Sequence, residues 1–269
     1  MSVISTLITR TATIHATDSL ITRLCNGQRE VIEWEKTKVI PVPAWRGAMS
    51  YWGFAEVEGQ WSTLNWLRIQ ASQAGDFCSP EAFAKAMTID LNEQFRKINT
   101  RQKVDKGIGI HFSAYEYVES RWIPELFLIS NWLDTTYTAI RQTVNISRET
   151  HHWVSGQDPR PEDANKDRRL KVWQALQDGK WLRYNNGDPH LYNLAAMAIL
   201  EMANQLAFRG ILRQPDDIET LRSLTLKPVK IVSEIQRDFC VANTRIVGGR
   251  IHDLAITPAG SYSSTSGDA

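Results

Sequence analysis

Cysteine is scarce in this chain and poorly placed for joint work. The 269 residues hold 3 cysteines, Cys25, Cys78 and Cys240. They are far apart, odd in number, and none belongs to a CxxC pair. That argues against a disulfide framework or a cysteine-based zinc site, and it fits a reducing cytoplasm. Long apolar runs are also missing: no window approaches the roughly 18 apolar residues needed to cross a bilayer. The opening stretch, MSVISTLITRTATIHATDSLITR, lacks the pattern of a signal peptide, because Thr, Ser, Arg and His interrupt its apolar residues. Charge of one sign is absent too, with 31 Lys and Arg against 30 Asp and Glu. Such a balance gives no field to gather nucleic acid or an anionic membrane. The run EDANKDRRLK at 162–171 reads as the solvated start of a helix. No nucleotide-binding glycine fingerprint and no internal repeat occurs, so no cofactor is expected. His151 and His152 are adjacent, which points their rings apart on a strand or about 100° apart on a helix, so no metal site is expected there.

What is present is the composition of a globular protein, 42% hydrophobic and 23% charged. The 10 tryptophans read as core or interface anchors. Residues 3–17 alternate loosely and are rich in β-branched side chains, which predicts strands. VIEWEKTKVIPVPAW at 31–45 reads as extended, and GAMSYWGFAEV at 47–57 as a buried strand with close backbone approaches. One helix is predicted from Ser62–Thr63, with Leu64, Leu67 and Ala71 on one face. A second has Ser79 as N-cap, Pro80 at its first position and a stripe of Phe83, Met87, Leu91, Phe95 and Ile98. Strands follow at 107–117 and 124–132, with His111 read as a core histidine. About 134–180 reads as polar and helical, NNGDP at 185–189 as a turn, and Leu191, Leu194, Ala198, Met202 and Leu206 as a further helix. A last helix is predicted from about Pro228 to Phe239, a strand pair at 244–257, and a disordered tail. Strands and helices come in blocks, which predicts α+β with antiparallel sheets. The expected organisation is one domain over 2–258 with an inserted helical segment at about 134–186, then a tail at 259–269.

The opening carries a sharper signal. The first strand leads to ATDSLIT at 16–22, KTKVI at 36–40 places Lys38 directly before a Val-Ile strand, and SYWGFA at 50–55 follows with Gly53. This order resembles the β-subunits of the proteasome, within the N-terminal nucleophile (Ntn) hydrolase superfamily, of which the chain would be a divergent, bacterial-type member. The family motif has the form AxDSRxT, and Leu20 stands here where Arg is usual. The resemblance covers about residues 2–132 closely and 187–258 loosely. It implies a four-layer α-β-β-α sandwich with two antiparallel sheets. It implies Ser2 as the nucleophile, exposed by removal of Met1, with Asp18 and Lys38 beside it and the Gly53 amide as oxyanion donor. An extended substrate would pair with backbone near Thr22 and Trp52. It also implies a homo-oligomeric ring.

The chemistry is self-consistent on physical grounds. An N-terminal Ser offers a hydroxyl and a free α-amine of pKa about 7.7–8.0 on one residue. A nearby Lys can lower the hydroxyl's effective pKa, an Asp can orient that Lys, and a backbone N–H can hold the oxyanion for about 3 kcal/mol. The expected activity is cleavage of peptide or amide bonds. The alternatives are a catalytically silent assembly or scaffold relative, and an amidase or transpeptidase acting on a small acylated substrate. Late in the chain the sequence departs from the family pattern of Asp followed three residues on by Ser-Gly-Gly. NTRIVGG at 243–249 has Asn243 or Thr244 in place of the Asp and Val247 in place of the Ser, while Gly248 and Gly249 remain. A supporting Ser in a Gly-Ser-Gly turn has no match, and Asn186 or Asp188 of NNGD is the nearest substitute.

Overall fold

The computed structural model describes residues 3–25, 28–33, 36–57, 59–98, 107–132, 140–150, 153, 163–186, 217–239 and 247–264, with isolated positions between 194 and 209. In chain order the elements are β1 (Ile4–Ile8), β2 (Thr13–Asp18), β3 (Ile21–Cys25), β4 (Gln28–Glu33), β5 (Val39–Val42), β6 (Gly47–Gly53), β7 (Glu56–Val57) and β8 (Trp61–Ser62). Then come α1 (Thr63–Gln73), α2 (Pro80–Lys97), β9 (Ile108–Val118), β10 (Arg121–Trp132), β11 (Ile140–Arg148), α3 (Asp163–Gln177), β12 (Leu182–Asn186), α4 (Ile218–Phe239), β13 (Ile251–Ile256) and β14 (Tyr262–Ser263). One sheet runs β12-β1-β2-β13-β14 and the other β11-β10-β9-β6-β5. Neighbouring strands in both are antiparallel. The protein is therefore α+β with two antiparallel sheets, as the block order of the sequence predicts.

Alternation along the strands sorts the two faces of each sheet. On β9, Ile108, Ile110, Phe112 and Ala114 join the apolar core formed with Leu64 and Leu67 of α1 and Phe83, Met87 and Leu91 of α2. The intervening His111, Ser113 and Tyr115 carry hydrogen bonds to Thr6, His15 and Thr13 on the other sheet. On β2, Ile14 and Ala16 pack with Leu221 and with Val229 and Val232 of α4. Gly109 is required because a Cβ there would overlap the Trp52 ring. The helix stripes form for local reasons. The Ser79 hydroxyl accepts the Ala82 N–H at 3.1 Å, Pro80 opens α2, and the side chain of Ser62 accepts the Asn65 N–H at 3.4 Å. Burying each of Phe83, Met87 and Leu91 contributes about 1.5–3 kcal/mol.

Three sequence expectations differ from the structure. The region read as a helical insertion contributes β11 and β12, each of which ends one of the sheets. β11 escaped notice because polar side chains outnumber Val144 and Ile146 in it, and Asn185 and Asn186 are strand residues rather than turn residues. The last long helix begins at Ile218, and Pro228 lies inside it on its buried face. The segment read as a disordered tail keeps β14, paired with β13. Among the described residues no helix is long and apolar enough to cross a membrane.

Candidate active site

Asp18 ends β2 and is fully buried, where an ionised carboxylate needs strong partners. It has them. Its Oδ1 accepts the Val3 N–H at 2.9 Å, and its Oδ2 accepts the Gly248 N–H at 3.2 Å. The Val3 contact crosses from the residue just before β1. The Gly248 contact comes from the segment leading into β13, whose Ile251 lies opposite Asp18 in the ladder. Lys38, immediately before β5, is also buried. Its Nζ lies 3.5 Å from Asp18 Oδ1 and donates to the Leu20 carbonyl at 2.6 Å. The Lys38 carbonyl in turn accepts the Tyr51 N–H at 3.3 Å, which ties the pair to β6.

Burial pushes the Asp18 carboxyl up, against the opposing pull of Lys38 and the two amide N–H groups. Burial pulls the Lys38 ammonium down, against the opposing pull of Asp18. The two shifts bring the proton affinities of the pair closer together. Lys38 therefore gives up its proton more readily than a lysine in water. A lysine shifted in that direction is better suited to exchanging a proton than one in water.

Gly248 does double duty. Besides its N–H bond to Asp18, its carbonyl accepts Ser19 N–H at 3.2 Å and Leu20 N–H at 2.9 Å. The backbone of one residue thus fixes the carboxylate and also the turn whose Leu20 carbonyl holds Lys38. Gly53 ends β6 at φ +87°, a left-handed conformation that favours glycine, and a Cβ there would overlap the Gly107 carbonyl oxygen. The next amide, that of Phe54, donates to that oxygen at 2.8 Å.

Of the residues singled out from sequence, Asp18 and Lys38 meet directly, and the residue following Ser2 in the chain is bonded to Asp18. Ser2 itself lies outside the described residues, as do Met1, Asp188, Asn243 and Thr244. Thr22 lies on β3, which follows Leu20 and pairs with β4. Trp52 is buried, with its indole over Gly109 and edge-on to the His111 ring at 5.7 Å, so its side chain fills the interior. The side-chain oxygen of Asn186 is engaged by His111 Nε2. Among the described residues no cluster of His, Cys, Asp and Glu could hold a metal ion, and His151 and His152 lie outside them.

Two contributors were missed from sequence, the Leu20 carbonyl and Gln236, whose Oε1 accepts the Val247 N–H at 2.8 Å beside Gly248. A backbone acceptor leaves no trace in side-chain identity. Gln236 had a readable signal, as the polar member at the end of the stripe Val229, Val232, Ser233. A scan against protein-family models gives no match for this chain, and a search of curated proteins gives none either.

Proposed function

We propose that the protein is an Ntn hydrolase of the proteasome β-subunit type that cleaves peptide or amide bonds. The observation that carries this reading is the buried Asp18–Lys38 pair, bonded through Asp18 to the backbone of Val3, the residue after the candidate nucleophile. A carboxylate and an ammonium so placed serve little purpose on a surface and are costly in an interior, which favours a chemical role. The layering expected of the family is supported by α4 lying on β1, β2 and β13, by α1 and α2 lying on the far side of the other sheet, and by the hydrogen bonds between the sheets.

In this mechanism Met1 is removed and Ser2 Oγ attacks the substrate carbonyl carbon. The Ser2 α-amine takes the hydroxyl proton, and Lys38, oriented by Asp18 and the Leu20 carbonyl, stabilises the developing alkoxide. The oxyanion is held by the Gly53 amide. The leaving amine is protonated as the tetrahedral centre collapses to an ester on Ser2, and water then hydrolyses that ester by the same proton path. An extended substrate lies along β3 near Thr22.

A second reading, a catalytically silent relative kept for assembly, is favoured by one observation. Val247, in place of the family's Ser, is 0% exposed in an apolar cluster and offers no hydroxyl to the amine. Hydrolysis of fluorogenic peptides and of simple aryl amides separates the readings. Turnover that disappears in Ser2→Ala supports the hydrolase, and full turnover in Ser2→Ala removes Ser2 from the mechanism. A folded wild-type protein with no turnover of either substrate favours the silent relative.

A further inference from the structure

Gln236 is the side chain through which α4 reaches the candidate active site. It is 2% exposed on a helix face that otherwise buries Leu226, Val229 and Val232. A buried amide on such a face must be hydrogen-bonded to be tolerated. Its Oε1 accepts the Val247 N–H at 2.8 Å. The very next peptide N–H, that of Gly248, donates to Asp18 Oδ2, and the Gly248 carbonyl accepts from Ser19 and Leu20. Leu20 then accepts from Lys38. A continuous path of hydrogen bonds and single peptide units therefore runs from α4 to both members of the pair.

We infer that Gln236 is a positioning residue that holds the 247–248 backbone against Asp18 and so keeps the Asp18–Lys38 pair in register. Val247 cannot do this with its own side chain, which is apolar and faces the Val229 and Val232 cluster. The role of that backbone is to lend Asp18 a second N–H donor. Loss of the donor leaves the carboxylate less stabilised as an anion, and a less anionic Asp18 holds the Lys38 proton less tightly. Among the described residues the charged group acting on Lys38 is Asp18, and Tyr51 on β6 is coupled to the same carboxylate. The consequence for turnover rests on the hydrolase reading, whereas the consequence for Lys38 does not.

The test is an NMR titration of the lysine Cε–H signals in wild type, Gln236→Met and Gln236→Glu, with the rate of Ser2 acylation by a peptide β-lactone measured on the same samples. Methionine keeps the shape and removes the acceptor, whereas glutamate keeps an acceptor for Val247. The Met variant is expected to weaken Lys38 protonation about tenfold, lowering its midpoint by about one pH unit. Its acylation should slow by a similar factor and its pH profile should move with the midpoint. The Glu variant is expected to hold the Lys38 midpoint at or above the wild-type value. An unmoved midpoint in folded Gln236→Met overturns the inference, and so does a Glu variant whose midpoint falls, even where the Met variant does not fold. A shifted midpoint with no acylation of wild type supports the positioning role and counts against the nucleophile. Acylation of wild type with an unmoved midpoint does the reverse.

Discussion

Strand β2 carries two buried polar regions three residues apart, and they solve the cost of burial in opposite ways. Around His15 the solution is neutrality. The Ser113 hydroxyl lies 2.7 Å from His15 Nε2, and His15 Nδ1 lies 2.9 Å from Ser50 Oγ and 3.3 Å from Thr6 Oγ1. Thr6 Oγ1 is in turn 2.8 Å from His111 Nδ1, and His111 Nε2 donates to Asn186 Oδ1. With Asn186 accepting, the donors fall into one order: Ser113 to His15, His15 to Ser50 and Thr6, Thr6 to His111, and His111 to Asn186. Burial lowers His15 to about 3 and His111 to about 4, so both rings are uncharged at neutral pH. Around Asp18 the solution is pairing: opposite charges meet at 3.5 Å and backbone groups satisfy what remains. The first region is a fully bonded interior between sheets. The second keeps an ionisable pair tied to the chain's first described residue. A buried histidine beside a serine looks like a nucleophile and base, yet here the ring is neutral and bonded on both nitrogens, whereas Asp18 and Lys38 remain an ionisable pair.

The contrast predicts unequal responses to mutation. The largest effect is expected for Asp18→Ala, which strands a buried ammonium and two buried N–H donors. Stability should fall by about 4 kcal/mol, read from urea unfolding midpoints. The double variant Asp18→Ala/Lys38→Met should recover part of this loss, and full additivity of the two changes would show that the pair is not coupled.

Gly53→Ala comes next, at the end of β6 beyond the histidine region. Its left-handed φ and the Gly107 carbonyl leave no room for a methyl group, so about 3 kcal/mol should be lost. An unchanged melting temperature would contradict the strand-end geometry.

The histidine region should show itself through pH. A group whose folded pKa is depressed contributes stability that is complete above its unfolded value of 6.5 and is lost as pH falls toward the folded value. Each histidine should therefore cost about 2 kcal/mol at pH about 5 relative to neutrality. Denaturation midpoints across this range should slope downward with falling pH, and less steeply in His15→Gln or His111→Gln. The smallest effect is expected for Ser113→Ala, about 1 kcal/mol from one orphaned imidazole nitrogen, with no change in any activity at Ser2.

These regions were unequally legible in the sequence. The alternation of GIGIHFSAYEY placed His111 in a core strand, and the Ser79–Pro80 pair fixed the start of α2, whose end at Lys97 falls just short of the apolar stripe's last member, Ile98. Asp18 and Lys38 were singled out through the resemblance of their surroundings to the family motif, and the structure brings the two side chains together. β11 and β12 were hidden, because the pairing that makes a polar segment a strand is supplied by distant neighbours. The hydrogen bonds made by the Gly248 and Leu20 backbone were hidden for a related reason, and Gln236 was legible only as a polar residue on an apolar helix stripe, not as a partner of Val247 across 11 residues of chain. Thr22 has its backbone placed on β3, and Trp52 proved to be an interior ring packed on Gly109.

The central claim is that the chain's start is a working nucleophile served by Asp18 and Lys38. Intact-mass analysis of the purified protein, before and after incubation with a peptide β-lactone or vinyl sulfone, tests it most directly. Loss of Met1 followed by one adduct mapped to Ser2, suppressed in Lys38→Met, is the predicted result. A folded protein that retains Met1, or that exposes Ser2 and never labels, would contradict the claim.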